Sequence, residues 1–214
     1  MKTRSPIPTF RTRDAIRFER SSFGARLRKL RKDNGWTLAE VAARTGIALS
    51  TISKAERGQV SLTYDRLVQL ARGLNIDFGA MFSNGNASGA DQVIAVTRRG
   101  KAKRLETDCY VYGMLCTERR GKRMVPILGR IKARSMEEFE TLIRHPGEEF
   151  LYVLEGVLSV RIDGCAPMKL HAGDSIYFDS GRAHAYLSAG KRDAVVLVVC
   201  WQTDGADELP SRQL

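Results

Sequence analysis

Two kinds of apolar spacing run along this chain. From Phe23 to Phe82 the apolar positions keep the period of a helix. Phe23, Leu27 and Leu30 fall at i, i+4 and i+7; Leu38, Val41 and Ala42 at i, i+3 and i+4; Leu67, Leu70, Ala71 and Leu74 repeat the stripe. Breaks at Asn34-Gly35, Thr45-Gly46, Arg57-Gly58 and Gly73 supply helix ends and tight connections. The later part has strand-like runs instead: VIAV, CYVYGMLC, MVPILGRI, FLYVLEGVLSVRI, DSIYF and DAVVLVVCW. Turn signals at Gly164, Ala172-Gly173, Ser180-Gly181 and Ala189-Gly190 separate several of them. Many short strands at regular spacing predict a barrel or jelly roll.

The pattern divides the chain. Residues 1–20 hold two prolines and many arginines without apolar period, which reads as a flexible basic arm. A helical domain follows at 21–83, and the small polar stretch SNGNASGAD places a linker at 84–92. The strand-rich domain takes 93–204, with a tail at 205–214. The expected fold class is therefore multidomain, α followed by β.

Charge sharpens this division. Residues 1–83 carry 16 Lys+Arg against 7 Asp+Glu, a balance of +9, and residues 84–134 carry 12 against 4, or +8. Residues 135–214 carry 7 against 13, or −6. A basic head on an acidic body points to a polyanion-binding module joined to a body with another task. The longest apolar run, Ala194 to Trp201, is far below the roughly 20 residues that span a bilayer. The basic N-terminus lacks the apolar stretch of a signal peptide, so a cytoplasmic protein with no membrane partner is expected. Cys109, Cys116, Cys165 and Cys200 form no CxxC pair and read as mostly buried thiols.

Residues 37–58, TLAEVAARTGIALSTISKAERG, carry the most specific signal. Thr37 with Glu40 three residues later makes a capping box, so a helix starts at Leu38. Gly46 stops it, and a second short helix runs from near Leu49 to Gly58. Two helices around a tight glycine turn, with Val41, Ile47 and Ile52 packing inward, form a helix-turn-helix. With RLRKLRKDNGW before it and LVQLARGLNI after, the segment resembles the Xre/Cro family of DNA-binding domains. That resemblance implies five helices, the third lying in the major groove of double-stranded operator DNA. Leu49, Ser50, Thr51, Ser53 and Lys54 would face the duplex. Arg26, Arg28, Arg44 and Arg57, with Thr37 at the start of the second helix, would contact phosphates, which position a protein without reading sequence. Arg31 and Glu56 would form an internal ion pair that locks the third helix. Ala48 and Leu49 stand where the family often has a hydroxyl or amide residue and then a long polar one. This weakens the N-cap and favours apolar contact, for example with a thymine methyl. Paired half-sites about 34 Å apart imply a homodimer.

In the acidic body, HPGEEFLYVLEGVLSVRIDG and HAGDSIYFDSGRAHAYLS resemble the two motifs of the cupin superfamily, which implies a small β-barrel of jelly-roll type. Metal-binding cupins take two histidines separated by one residue and a glutamate from the first motif, and one histidine from the second. Matched onto this chain, these are His145, Glu149 and His184, while Ile143 holds the place of the first histidine. Two imidazoles and a carboxylate can form a facial triad for a divalent metal (Fe, Zn, Mn or Ni). Alternatively the same side chains line an effector pocket through hydrogen bonds alone. Tyr152, Arg130, Tyr177 and Tyr186 are further pocket candidates, with Tyr110, Tyr112, Met124 and Trp201 also expected to point inward from their strands. An inward Arg130 would favour a carboxylate or phosphate on the ligand.

Two functions compete at this stage. In one, a dimeric transcriptional regulator binds operator DNA and answers to a small-molecule effector in the cupin, without enzyme activity. In the other, the chain resembles a bacterial epoxidase of phosphonate biosynthesis, a mononuclear non-haem iron enzyme with the same order of domains. The basic head and the charge division favour the regulator.

Overall fold

The computed structural model describes residues 13–78, 81–82 and 93–201, with side chains described from Phe23 onward. The expected linker at 84–92, the tail at 205–214 and the first twelve residues of the arm lie outside the described residues. The chain divides into two compact units, Met1–Gly121 and Lys122–Leu214.

The first unit has four α-helices among its described residues: α1 (Arg13–Asp33), α2 (Leu38–Thr45), α3 (Leu49–Glu56) and α4 (Tyr64–Gly73). Helix α1 takes in residues 13–20, which the sequence assigned to an irregular arm. Both prolines, Pro6 and Pro8, precede it, so nothing in Arg13–Asp33 breaks the helix. The capping box forms as expected. The Glu40 amide donates to Thr37 Oγ1 (3.1 Å) and the Thr37 amide to Glu40 Oε2 (2.7 Å). Gly46 ends α2 at φ 69°, its N–H reaching Ala42 O at 2.8 Å. Ala48, before α3, provides no side-chain cap.

Two glycines serve close approach instead of turning. A Cβ on Gly24 would lie 2.3 Å from Ala55 O, and one on Gly73 would lie 2.5 Å from Arg44 O. The sequence read Gly73 as a helix end. It is the last residue of α4, but its backbone also packs directly on the end of α2, and the left-handed residue is Asn75 (φ 52°). Ile52, Leu67 and Leu70 are fully buried between the helices.

The expected five helices become four among the described residues. After Asn75 the described residues Phe78 and Phe82 contribute rings to the core. Phe78 packs on Tyr64 and Phe82 (centroids 5.4 Å each), and Phe82 on Phe23 (5.7 Å). A hairpin of β1 (Lys103–Glu106) and β2 (Tyr110–Met114) completes the unit. The VIAV run, expected as a strand, has no ladder. Its neighbours are the Cys116 amide, donating to Thr97 Oγ1 at 2.7 Å, and the Cys116 thiol against Ala95 O, leaving Val93 and Ile94 exposed.

The second unit contains β3 (Met124–Ile131), β4 (Glu148–Glu155), β5 (Val157–Ile162), β6 (Met168–His171), β7 (Ser175–Asp179), β8 (His184–Ser188) and β9 (Ala194–Trp201). Within it one antiparallel sheet runs β3-β9-β4-β7 and a second runs β6-β5-β8. The expected barrel is not closed. The pairing of β4 with β9 shifts register between Val153 and Glu155, which still pairs with Val195, and Gly156 (φ 81°) then turns the chain into β5 of the other sheet. Ser188 joins the two sheets, donating to Ile131 O and accepting from the Ala194 amide, both at 2.7 Å.

Alternation sets the core of this unit. Val125, Ile127, Gly129 and Ile131 of β3 pair with Cys200, Val198, Val196 and Ala194 of β9. Glu149, Leu151 and Val153 of β4 share that buried face.

Candidate functional site

The residues expected to read DNA lie on α3. Ile52, Ala55 and Glu56 are buried, which leaves Leu49 (46% exposed), Ser50 and Lys54 on the surface and Thr51 and Ser53 half-buried. The orientation of α3 is fixed from behind. Arg31 Nε and Nη2 donate to Glu56 Oε1 and Oε2 at 2.6 and 2.9 Å, and Nη1 donates to Trp36 O at 2.9 Å. Only 14% of the Arg31 side chain and 6% of Glu56 are exposed. The bidentate hydrogen bond to Glu56 raises the Arg31 pKa further above its already high value.

The expected phosphate-contacting residues divide into two groups. Arg28, Arg44 and Arg57 are exposed. Arg44 lies over the Trp36 ring (4.9 Å), and Arg57 is held at the end of α3 by Ser53 Oγ and by Gln59 Oε1 (3.1 and 3.2 Å). Arg26 is half-buried and donates to Phe82 O at 2.9 Å, so that hydrogen bond ties α1 to the end of the helical segment. The Thr37 hydroxyl is engaged with Glu40 in the capping box.

In the second unit, four of the expected pocket residues converge. His145 precedes β4, Glu149 is on β4, and His184 and Tyr186 are on β8; all four are buried. Glu149 is the hub. Its Oε2 lies 3.1 Å from His145 Nε2 and 3.7 Å from His184 Nε2, and its Oε1 accepts from the Tyr186 hydroxyl. Burial pushes the Glu149 carboxyl up, but the hydrogen bond with His145, the His184 and His145 charges and the Tyr186 hydroxyl bring it below the usual carboxylate value. Because the Arg182 carbonyl can only accept, His184 Nδ1 carries the hydrogen of their 2.9 Å bond, which aims Nε2 at Glu149. Ile143 exchanges backbone hydrogen bonds with His184, so it packs beside the hub without a polar group to offer.

Three expected pocket residues lie elsewhere. Tyr152 (38% exposed) shares the outer face of β4 with Phe150, opposite Glu149. Tyr177 (62% exposed) pairs with Phe150 on that face, and Arg130 pairs with Val195 on the outer side of β3. Met124 and Trp201 pair with each other on the same outer face. Alternation explains each case: an inward Glu149 forces Phe150 and Tyr152 outward, and the β4–β7 register brings Phe178, not Tyr177, opposite Glu149.

Two pocket residues had been missed. Phe178 stacks edge-on against His184 at 5.0 Å, and the Cys200 thiol lies 3.6 Å from Glu149 Oε2. Alternation along AVVLVVCW puts either Cys200 or Trp201 inward, but only the register Glu149↔Cys200 decides which. Of the four cysteines, Cys200 alone is buried; Cys165 is exposed and Cys109 and Cys116 are intermediate.

Comparison with known proteins agrees with the two units. A helix-turn-helix family model matches residues 27–80, and a cupin domain model matches residues 136–200. The HTH-type transcriptional regulator SutR of Escherichia coli (strain K12) is 26% identical over 167 residues, which cover 78% of this chain and 86% of that protein. An HTH_3 family transcriptional regulator from Vibrio cholerae shares the fold, with a TM-score of 0.53 at 20% identity over 87% of this chain and 99% of that one. Hydroxypropylphosphonic acid epoxidase from S. wedmorenis aligns over 85% of this chain and 98% of its own at 25% identity. Its TM-score of 0.45 is too low to carry a functional argument.

Proposed function

We propose, from the premise that this chain joins a helix-turn-helix domain to a cupin domain, that it is a DNA-binding transcriptional regulator whose cupin pocket takes a small effector. The observation that carries the reading is the exposed side of α3, kept in place by the Arg31–Glu56 fork, with Arg57 at its end and Arg28 and Arg44 exposed on the same unit. Leu49 presents an apolar surface suited to a thymine methyl, Ser50 and Thr51 present hydroxyls for base edges, and Lys54 is placed for a phosphate. Two copies in a cytoplasmic homodimer would set two such helices about 34 Å apart on successive half-sites. Effector binding in the pocket around Glu149 would change DNA affinity to the extent that the effector prefers one arrangement of the dimer over another.

The test is binding of the full chain to DNA from upstream of its own gene, in competition with unrelated DNA. Preference for the upstream fragment, weakened by Leu49→Glu or Ser50→Glu with the fold intact, supports the reading. Equal affinity for all fragments contradicts it. The iron-enzyme alternative would use His145, Glu149 and His184. Near-stoichiometric iron in freshly purified protein, together with absence of DNA binding, would favour it.

A further inference from the structure

Three potential donor atoms surround one carboxylate oxygen in the pocket. Glu149 Oε2 lies 3.1 Å from His145 Nε2, 3.6 Å from Cys200 Sγ and 3.7 Å from His184 Nε2. One ligand atom from each of His145, Glu149 and Cys200 lies within 4.8 Å of the others, and all three residues are buried. Tetrahedral bonds of about 2.0–2.3 Å to N, O and S place neighbouring donors roughly 3.3–3.6 Å apart, close to these separations. His184 stays outside that group, its ring held through Nδ1 by the Arg182 carbonyl with Nε2 3.7 Å from Glu149 Oε2. As the resemblance implied, Ile143 stands at a ligand position of metal-binding cupins, and the structure offers a sulfur from a different strand instead.

We propose that the pocket is a metal site in which the Cys200 thiolate, from β9, is a ligand together with His145 and Glu149. A thiolate among imidazole and carboxylate selects a borderline-soft ion, zinc, over hard ions such as magnesium or manganese. Metal entry releases the thiol proton, so a bound metal replaces a buried S–H···carboxylate contact with two charged ligands on a cation. Three protein ligands leave the fourth position of a tetrahedral ion open, and in a sensing pocket a donor group of the effector would take it. The inference rests on the pocket reading above. Its readouts do not involve DNA, so the two readings can fail separately.

The experiment is titration of the full-length chain, metal-free and kept reduced by a phosphine, with cobalt(II) as a spectroscopic stand-in for zinc. The expected result is one cobalt per chain, intense visible bands of low-symmetry coordination, and a near-ultraviolet thiolate-to-cobalt charge-transfer band displaced by zinc but not by manganese. Cys200→Ser removes the charge-transfer band and weakens binding by at least the roughly 10-fold that loss of a mere supporting group causes. Cys165→Ser, at the exposed thiol, leaves both unchanged. If Cys200→Ser fails to fold, the wild-type spectrum still decides, as does zinc protection of Cys200 from alkylation under mass spectrometry. A wild-type cobalt complex without the charge-transfer band overturns the proposal. So does a band that survives in Cys200→Ser, or an absence of stoichiometric binding.

Discussion

Replacing Glu56 with alanine tests what holds α3 in place. Glu56 accepts two hydrogen bonds from Arg31 at 2.6 and 2.9 Å, and Arg31 also bonds Trp36 O. With 14% and 6% of the side chains exposed, the pair is close to the buried limit. Removing one partner of such a pair costs about 3–5 kcal/mol, because the remaining charge stays in a poorly solvated place. For a unit of this size each kcal/mol moves the midpoint by roughly 3–5 °C, so Glu56→Ala is expected to lower the helical transition by about 9 °C or more. Calorimetry on the full chain separates that transition from the β-rich one, which should not move. Arg31→Met with Glu56→Leu removes both charges and should recover most of the loss, since a well-packed apolar pair is often as stable as a buried ion pair. A shift below about 1 kcal/mol in Glu56→Ala would place the pair in the class of surface ion pairs, and the reasoning about α3 would be wrong.

Further outcomes follow from individual contacts. Gly24→Ala, whose Cβ would meet Ala55 O at 2.3 Å, should force α1 away from α3 and lower DNA affinity as well as the helical transition. Gly46→Ala, at φ 69° with only the flexible Gln69 amide near, should cost about 1–2 kcal/mol in chemical denaturation; no loss would contradict the left-handed cap. Hydrogen bonds from the Thr37 backbone and hydroxyl lower the pKa of Glu40. A depressed carboxyl stabilises the fold above its ordinary value of about 4.3 and loses that contribution as pH falls through the depressed one. Glu40→Gln should therefore reduce the acid sensitivity of the helical unit in a pH series of thermal melts, and an unchanged profile would speak against the capping box as its source.

The parts that could be read from sequence share a physical trait: they are local or carry a strong pattern. The Thr37–Glu40 box, the Gly46 turn and the uncapped start at Ala48 all depend on residues within four positions of each other, and all are found. His145 and Glu149 could be paired for the same reason. Arg31–Glu56 spans 25 residues and came only through family resemblance. The strand-rich unit resisted because its contacts depend on register, which apolar runs do not encode. One-residue parity put Tyr152, Tyr177 and Arg130 on the outer face. The alignment of β9 with β4 brought Cys200 to Glu149 across 51 residues, a contact without a local signal. Strands β1 and β6 were missed because they are short and their sequences mix polar with apolar positions.

The most direct test of the central claim is the salt dependence of operator binding by the full chain, followed by fluorescence anisotropy. Arg28, Arg44, Lys54 and Arg57 are exposed, and if all engage phosphates in a dimer, log K should fall against log salt with a slope approaching about −7. Lys54→Ala should flatten that slope by roughly 2 in the dimer, one for each copy, without changing which fragment is preferred. Binding that ignores salt, or that keeps its slope when Lys54 and Arg57 are both replaced, would contradict the placement of α3 against DNA.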